Sequence, residues 1–244
     1  MDSGYYAAAA GLAAQAQALE LIANNLANLG TSGYRGQQAT FHSLLAAAGP
    51  ARWNPLNAAM NDFGVLGGSR VDLASGSLTA TGNPLDLAVA GKGFFVVRSP
   101  KGDFYTRDGG FHRTPEGRLV TAEGDSVLGE QGLITLPAGA TAVSDDGTIS
   151  VGEAVVAKLR VAEFSASTPL TAVGKALYSA PAGAALPAAS SSIRQGMLEA
   201  SNVSSVESVV QLISVQRHAE MMQRALTLFD SQFNQTAAQD LPRV

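Results

Sequence analysis

The chain has 244 residues, with 16 Lys and Arg against 20 Asp and Glu, so its formal net charge is −4. This balance argues against nucleic-acid binding, because neutralising phosphates requires a basic surface. The sequence contains no Cys, which excludes disulfides, thiolate metal sites and cysteine nucleophiles. No apolar run reaches the roughly 18 residues that would predict a membrane span.

The composition changes along the chain. The charged residues among the first 51 are Asp2, Glu20 and Arg35, whereas 18 of the 36 charged residues lie between Leu85 and Arg160. Alanine accounts for 42 residues, and each of these buries little apolar area. Charge-poor ends and a charge-rich middle indicate at least two kinds of structure.

The first predicted element is a helix over residues 5–29, where helix-forming residues are dense. Gly30 and Gly33 are expected to end it. Apolar residues recur every seven positions, which places them on one narrow face. This N-terminal seam consists of Tyr5, Leu12, Leu19 and Leu26.

Residues 83–165 alternate short runs of Val, Leu, Ile and Phe with turn signals, a pattern typical of an antiparallel all-β module. Turns are predicted at 91–93, 99–102, 108–110, 115–117, 123–125 and 145–147. Residues 85–89 alternate between apolar and other residues as a half-buried strand does. The low-charge segments 37–82 and 165–192 are interpreted as extended connections.

A second helix is predicted near the end of the chain. Ser204 and Glu207 have the spacing of a capping box, and Pro242 indicates that the helix ends around Ala238. Alternating three- and four-residue spacing over three heptads predicts a coiled-coil helix. This C-terminal seam consists of Leu212, Val215, Ala219, Met222, Leu226, Phe229 and Phe233. The alternative, that both helices pack on a local globular core, stays open.

No catalytic, cofactor-binding or metal-binding residue is predicted. His42, His112 and His218 lie in separate segments, without the spacing of metal ligands. The sequence around Lys92 lacks the other residues that a phosphate-binding loop requires. Asp108 near His112 is interpreted as a turn residue rather than as part of a catalytic triad. The sequence therefore does not predict an enzyme.

Three separated segments carry a more specific pattern. The first, ANNLANLGTSGYR at 23–35, contains Asn24, Asn25, Asn28, Gly33 and Tyr34. The second runs from 82 to 121 and includes GNPLDLAV, GKGFF, YTRDG and GRLVT; the third is QGMLEASNV at 195–203. In this order, the three segments resemble the flagellar basal-body rod and hook protein family of bacteria.

The resemblance implies a structural subunit of the bacterial flagellar rod that polymerises helically, with itself and with other rod proteins, into a torque-transmitting axle for motility. Such subunits are exported unfolded by the flagellar type III apparatus without a cleaved signal. The first residues carry no positive charge, so the sequence predicts no cleavable secretory signal. Partners are then rod proteins and the export apparatus, with no nucleic acid, no membrane span and no cofactor, and the rod crosses the periplasm.

The small middle domain and the residues after 216 favour the proximal rod protein that adjoins the distal rod. A distal rod or hook subunit of the same family is the alternative. A hypothesis from another functional class is a secreted adhesin or binding module, in which the helices trimerise the β domain. Asn24, Asn25 and Asn28 either fix helix register between subunits or cap the helix end.

Together, the residues and the resemblance predict an α+β fold. Long N- and C-terminal helices form a coiled-coil tube domain, and a central antiparallel all-β domain lies between extended connections. The predicted boundaries are 1–36 for the N-terminal helix and signature, 37–82 for a connection, 83–186 for the β domain and 187–244 for the return segment and C-terminal helix. Burying a Leu contributes about 1.5–3 kcal/mol, and ordering a residue costs about 1–2 kcal/mol. The helices alone are therefore marginal, and we expect their folding to be coupled to assembly.

Overall fold

The structure, a computed structural model, describes residues 2–42, 65–165, 168–187 and 190–240. Helix α1 spans Asp2–Ala27 and helix α2 spans Ser205–Asp240. Neither of these described helices is long and apolar enough to cross a membrane. Helix α2 begins directly after Ser204 and has Glu207 in its first turn, so the predicted helix start is confirmed.

Between the helices, the described residues form short strands, because runs of β-branched and aromatic residues are interrupted by turn residues every few positions. In chain order these are β1 (Gln37–His42), β2 (Val65–Val71), β3 (Leu78–Ala80), β4 (Leu87–Ala90), β5 (Phe94–Ser99), β6 (Gly102–Thr106), β7 (His112–Arg113), β8 (Leu119–Val120), β9 (Ser126–Gly129), β10 (Gly132–Leu133), β11 (Thr141–Val143), β12 (Thr148–Val151), β13 (Ala154–Lys158), β14 (Val161–Glu163), β15 (Thr171–Gly174), β16 (Leu177–Ser179), β17 (Leu186–Pro187), β18 (Ser192–Gln195) and β19 (Met197–Glu199).

The chain divides into two compact units. The helix unit comprises Met1–Leu26, Gln37–Ser69 and Ser205–Val244, and the β unit comprises Ala27–Gly36 and Arg70–Ser204. The ten residues that follow the body of α1 therefore belong with the strands. This assignment places most of the first family segment in the β unit.

The main sheet of the β unit has the strand order β15-β16-β6-β5-β9-β8-β7, with β10 beside β9 and with β14 between β5 and β17. A second sheet has the order β11-β12-β13. The return segment re-enters through the antiparallel pairs β18-β4 and β19-β3. The turns predicted at 99–102 and 145–147 are confirmed, with Gly102 and Gly147 at φ of 129° and 84°.

Strand β5 is buried on both faces and separates two apolar clusters. Phe95 and Val97 contribute to one cluster, and Phe94 and Val96 contribute to the other. This division follows from the alternation of side chains along a strand. The rings of Phe95 and Phe111 pack edge to face, with their centroids 5.1 Å apart.

The half-buried strand predicted for residues 85–89 is wrong in its bounds and in its burial. Strand β4 covers Leu87–Ala90, and Leu87, Ala88 and Val89 are all buried. Leu87 and Val89 contribute to the same apolar cluster as Phe95. Ile193 of the return segment lies opposite Val89 and contributes to the same cluster, a long-range contact that alternation alone cannot indicate.

The predicted fold class, with long terminal helices in a coiled-coil tube domain, is also wrong. Most described elements are strands, and the described parts of α1 and α2 form no coiled coil. A coiled coil needs sizeable apolar side chains that insert between those of the partner helix. Over the residues of α1 whose burial is described, from Gly11 onward, the buried face has small residues at three of its four positions and lies about a quarter turn from the predicted seam. Its members are Gly11, Ala14, Ala18 and Ile22.

The seam residues whose side chains are described are half-buried. On α1 these are Leu12, Leu19 and Leu26. On α2 they are Leu212, Val215, Ala219, Met222 and Leu226. The side chains of Tyr5, Phe229 and Phe233 lie outside the described residues. The role of both seams in assembly stays a prediction.

Candidate functional site: the Glu199 cluster

The three family segments meet around the buried carboxylate of Glu199. Arg35 lies at the end of the first segment, Arg107 follows β6 in the second, and Glu199 ends β19 in the third. Their side chains are 0%, 1% and 0% exposed. These three residues, here named the Glu199 cluster, all belong to the β unit.

Each oxygen of the Glu199 carboxylate faces a different guanidinium. Nη2 of Arg35 lies 2.7 Å from Oε1, and Nη1 of Arg107 lies 3.0 Å from Oε2. The backbone N–H of Gly76 also donates to Oε1, at 2.8 Å. One carboxylate therefore joins two cations that are far apart in the sequence, and the buried cluster has a formal charge of +1.

Arg107 is held by further contacts on its other side. Its Nη1 donates to the Val89 carbonyl at 3.0 Å, and its Nη2 donates to the Gly91 carbonyl at 2.6 Å. The guanidinium carbon lies 4.8 Å from the ring centroid of Phe94, within cation–π range. Burial lowers the pKa of Arg107 to about 10, although the charge of Glu199 opposes this shift. Arg107 stays charged at neutral pH.

Several donors of the cluster are not hydrogen-bonded. Among the described residues, Nε and Nη1 of Arg35 and Nε of Arg107 have no hydrogen-bond partner. Each unpaired buried N–H costs free energy. The cluster therefore depends on the charge of Glu199, and removing that charge would leave two buried cations uncompensated.

The backbone before Arg35 passes very close to Arg107. The N–H of Gly33 donates to the Glu199 carbonyl at 2.7 Å. Gly33 has a φ of 66°, and a Cβ added there would lie 2.2 Å from the carbonyl carbon of Arg107. Glycine is required both for the backbone conformation and for the close approach.

One buried tyrosine lies within this segment and another is hydrogen-bonded to it. Tyr34 and Tyr178 are 1% and 0% exposed. The N–H of Arg35 donates to the Tyr178 hydroxyl oxygen at 2.7 Å. Burial raises the pKa of Tyr178, so the phenol stays neutral and can accept this hydrogen bond.

Asn202 fastens the return segment to two others. Its Oδ1 accepts from the N–H of Gly36 at 2.7 Å, and its own N–H donates to the Tyr34 carbonyl at 3.2 Å. Its Nδ2 donates to the carbonyls of Asp72 and Ala74, at 3.1 and 2.9 Å. The side chain of Asn202 thus supplies hydrogen bonds to three backbone groups in irregular segments of the chain.

The predicted signature residues divide into two groups. Gly33 and Tyr34 lie beside the Glu199 cluster. Within the helix unit, Asn25 and Gln37 exchange two hydrogen bonds, from Nδ2 to the carbonyl at 2.8 Å and from the N–H to Oδ1 at 2.9 Å. Asn28 accepts from the Thr31 hydroxyl at 3.1 Å, and Asn24 is exposed on α1. The contacts of Asn25 and Asn28 are those expected of residues that organise the helix end.

Sequence patterns predicted no individual role for Arg35, Arg107, Glu199 or Asn202. One signal was present, because Arg35 is the lone basic residue within a charge-poor stretch of 51 residues. A charged residue in such surroundings is a candidate for a buried pair. Its partner could not be chosen from the sequence, since Glu199 lies at the other end of the chain.

The other described residues of the β unit show no comparable convergence of segments. A cavity of about 350 Å³ is lined by Lys158, Arg160 and Leu186, among others, and by no member of the Glu199 cluster. Among the described residues, no group of three or more His, Asp or Glu side chains could hold a metal ion. The described polar site is therefore a junction between chain segments.

This geometry defines a class: a β-rich structural protein in which a segment from near the N-terminus and the return segment are fastened to one β unit. Family models match the same three regions. They are "Flagella basal body rod protein" at residues 6–35, "Flagellar hook protein FlgE/F/G D1 domain" at 88–151 and "Flagellar basal body rod FlgEFG protein C-terminal" at 194–239.

Whole-length relatives agree with these models. Flagellar basal-body rod protein FlgG of Caulobacter vibrioides is 34% identical over 94% of this chain and 96% of its own length. FlgF of the same organism is 33% identical over 93% of each chain. FlgG of Agrobacterium fabrum is 31% identical over 91% of this chain and 94% of its own length. The chain belongs to the flagellar basal-body rod protein family, as the sequence predicted, and is a structural subunit of the basal-body rod.

Proposed function

We propose that this subunit polymerises helically, with copies of itself and with other rod proteins, into the axle that crosses the periplasm and transmits torque. The observation that carries this proposal is the similarity to rod proteins along almost the whole chain. The role is mechanical, and no step of it requires catalysis or a cofactor. The Glu199 cluster supports the role by tying both ends of the β unit into one load-bearing body.

The subunit is exported unfolded by the flagellar export apparatus, without a cleaved signal. Because the sequence contains no Cys, the chain has no disulfide to undo before export. The charge-poor ends then fold as they are buried in the lattice, because their own apolar burial is marginal.

Within the rod, this chain is the proximal subunit that adjoins the distal rod. The small size of the β unit supports this assignment. The identities to FlgG and FlgF of one organism are nearly equal, at 34% and 33%, so sequence identity does not decide between the two kinds of rod protein. The position of this protein along the rod has to be measured. Deleting the gene and imaging isolated basal bodies tests this assignment. If the chain is a proximal subunit, its loss should leave a rod that stops short of the distal segment. A complete proximal rod without this protein would favour the distal or hook alternative.

The C-terminal seam gives the test of assembly itself. Leu226 is half-buried on α2, and the neighbouring Thr227 is exposed. Leu226→Asp should abolish rods and swimming in the deletion strain, because a carboxylate in a subunit interface is costly to desolvate. Thr227→Asp is the matched control and should swim. A normal number of rods in the Leu226→Asp strain would overturn the proposed role of the C-terminal seam in assembly.

A further inference from the structure

Helix α2 exposes an apolar stripe that the predicted seam does not include. Val206, Val210 and Ile213 are 73%, 62% and 44% exposed. Their spacing of four and three residues puts them on one helix face. The same spacing continues to the C-terminal half of the helix. The outer stripe is defined as residues Val206, Val210, Ile213, Arg217, Met221, Arg224 and Leu228.

The outer stripe lies about half a turn from the seam, on the opposite face of α2. Met221 and Leu228 within it are 56% and 63% exposed. A row of exposed apolar side chains of this length is unusual on a soluble monomer and marks an interaction surface. Two cations, Arg217 and Arg224, lie in the stripe and are also exposed.

Helix α1 presents an exposed face of the complementary kind. This face has a spacing of three and four residues and lies opposite the buried face of the helix. Its members are Ala13, Ala16, Glu20, Ala23 and Ala27. Alanines permit close approach of another helix, and Glu20 is the one charged side chain on this face.

The charges on the two faces match. Within the described residues, Glu20, Arg217 and Arg224 form no ion pair. The two arginines are seven residues apart, about 10 Å along the helix, so one carboxylate can lie between them. Glu220 lies at the border of the outer stripe, and two arginines outweigh its charge. An occupant with small side chains and one central carboxylate fits this surface.

We propose that the outer stripe of α2 is the docking surface for α1 of a second copy of this chain, with Glu20 placed between Arg217 and Arg224. This inference rests on the proposed polymerisation and specifies which faces meet. It uses the outward faces of both helices, and not the seams predicted from the sequence. Because the two faces differ, the contact is heterologous and can propagate along a filament.

A charge swap tests whether the contact joins two copies. In the deletion strain, Glu20→Lys should lower the number of rods per cell about tenfold or more, and Arg217→Glu with Arg224→Glu should do the same. Expressing both variant chains together should restore rods, because each reversed face then meets a reversed partner on another copy. Failure of the mixture to restore rods would overturn the proposal.

Cross-linking then maps the contact in assembled rods. The chain contains no Cys, so introduced thiols are the only ones in the subunit. Chains with Ile213→Cys are expressed together with chains of different mass that have Ala16→Cys or Ala23→Cys, and isolated basal bodies are oxidised. One of the two mixtures should give a heterodimer on a non-reducing gel, and which one reveals whether the helices run parallel or antiparallel.

The control is Gln211→Cys, which is exposed on α2 but outside the outer stripe. Normal rods with no cross-link through Ile213, or with equal cross-linking through Gln211, would overturn the docking proposal and leave the rod function intact. A swimming deletion strain with complete rods would instead overturn the proposed function. The two failures are therefore distinguishable.

Discussion

Glu199 joins two buried cations, and its removal has a predictable cost. Glu199→Gln keeps the size of the side chain but leaves Arg35 and Arg107 without a counter-charge. We expect the free energy of unfolding of the full chain to fall by about 3–5 kcal/mol, measured by urea unfolding followed by circular dichroism.

The matched control is Glu130→Gln. Glu130 pairs with Lys158 at 3.4 Å, and the two side chains are 57% and 43% exposed. Its loss should cost no more than about 1 kcal/mol. Equal effects of Glu130→Gln and Glu199→Gln would show that the Glu199 cluster contributes no more than a surface pair.

Asp108 makes the opposite kind of contribution. Burial raises its pKa, so the ionised carboxylate destabilises the folded state. The stabilisation that the protonated Asp108 carboxyl provides is complete below the pKa that this group has in the unfolded chain. It is lost as pH rises through the higher pKa that the group has in the folded state. Asp108→Asn keeps an oxygen for the Gly110 N–H, 3.1 Å from Oδ1. We expect this variant to be more stable than the parent at pH 7, with the difference vanishing below about pH 4.

Asp103 supplies a control of opposite sign. The hydrogen bond from Arg98 lowers the pKa of Asp103, so its contribution is present at neutral pH and is lost as pH falls. Asp103→Asn should therefore be slightly less stable than the parent at pH 7 and equal to it in acid. Unfolding curves measured from pH 7 to pH 3.5 should show two differences of opposite sign, and curves of the same sign would contradict the assignment.

At the scale of elements, the segment between α1 and β1 contacts the rest of the β unit at several points, and the closest approach is at Gly33. Gly33→Ala puts a methyl group 2.2 Å from the Arg107 carbonyl carbon and imposes a left-handed φ on alanine. The left-handed conformation alone costs about 1–2 kcal/mol, and the clash adds to it. We expect the segment to detach, so that trypsin cleaves after Arg35 in the variant and spares this bond in the parent.

Gly30→Ala is the control for this substitution. A Cβ at Gly30 meets nothing within 4 Å, and the φ of Gly30 is not positive. Its stability and its resistance at Arg35 should match those of the parent. Cleavage after Arg35 in both variants would mean that any residue other than glycine loosens the segment, and that the approach to Arg107 is not the cause.

The sequence predicted elements where the signal is local and failed where the partner is distant. Glycine at the turns near 102 and 147 acts through its own backbone, and both turns are present. The cluster around Leu87 and Val89 includes Ile193 of β18, about a hundred residues later, and alternation within residues 85–89 could not show it. For α1, the seven-residue repeat of Leu was visible, whereas the buried Gly and Ala face had no large side chains to mark it.

At the scale of the whole molecule, the uneven distribution of charge corresponds to the two units. The β unit encloses two apolar clusters and the Glu199 cluster, so its segments hold one another in place. Much of helix α2 is exposed, including Val206, Val210 and Leu228. A helix with so little of its apolar surface covered gains little from folding alone. The subunit is thus a stable β unit joined to helices that we expect to complete their burial in the rod.

This difference predicts where a protease cuts. Trypsin should cleave the free monomer first after Arg217 and Arg224, which are exposed on α2, and should spare the buried Arg35 and Arg107. In isolated basal bodies, cleavage at Arg217 and Arg224 should slow strongly because neighbouring subunits cover the helix and raise the free energy of local opening. Mass spectrometry of the fragments identifies each cut. Equal rates at Arg217 in monomer and rod would contradict coupling of the helix to assembly, whereas rapid cleavage after Arg107 in the monomer would contradict a β unit that is stable before assembly.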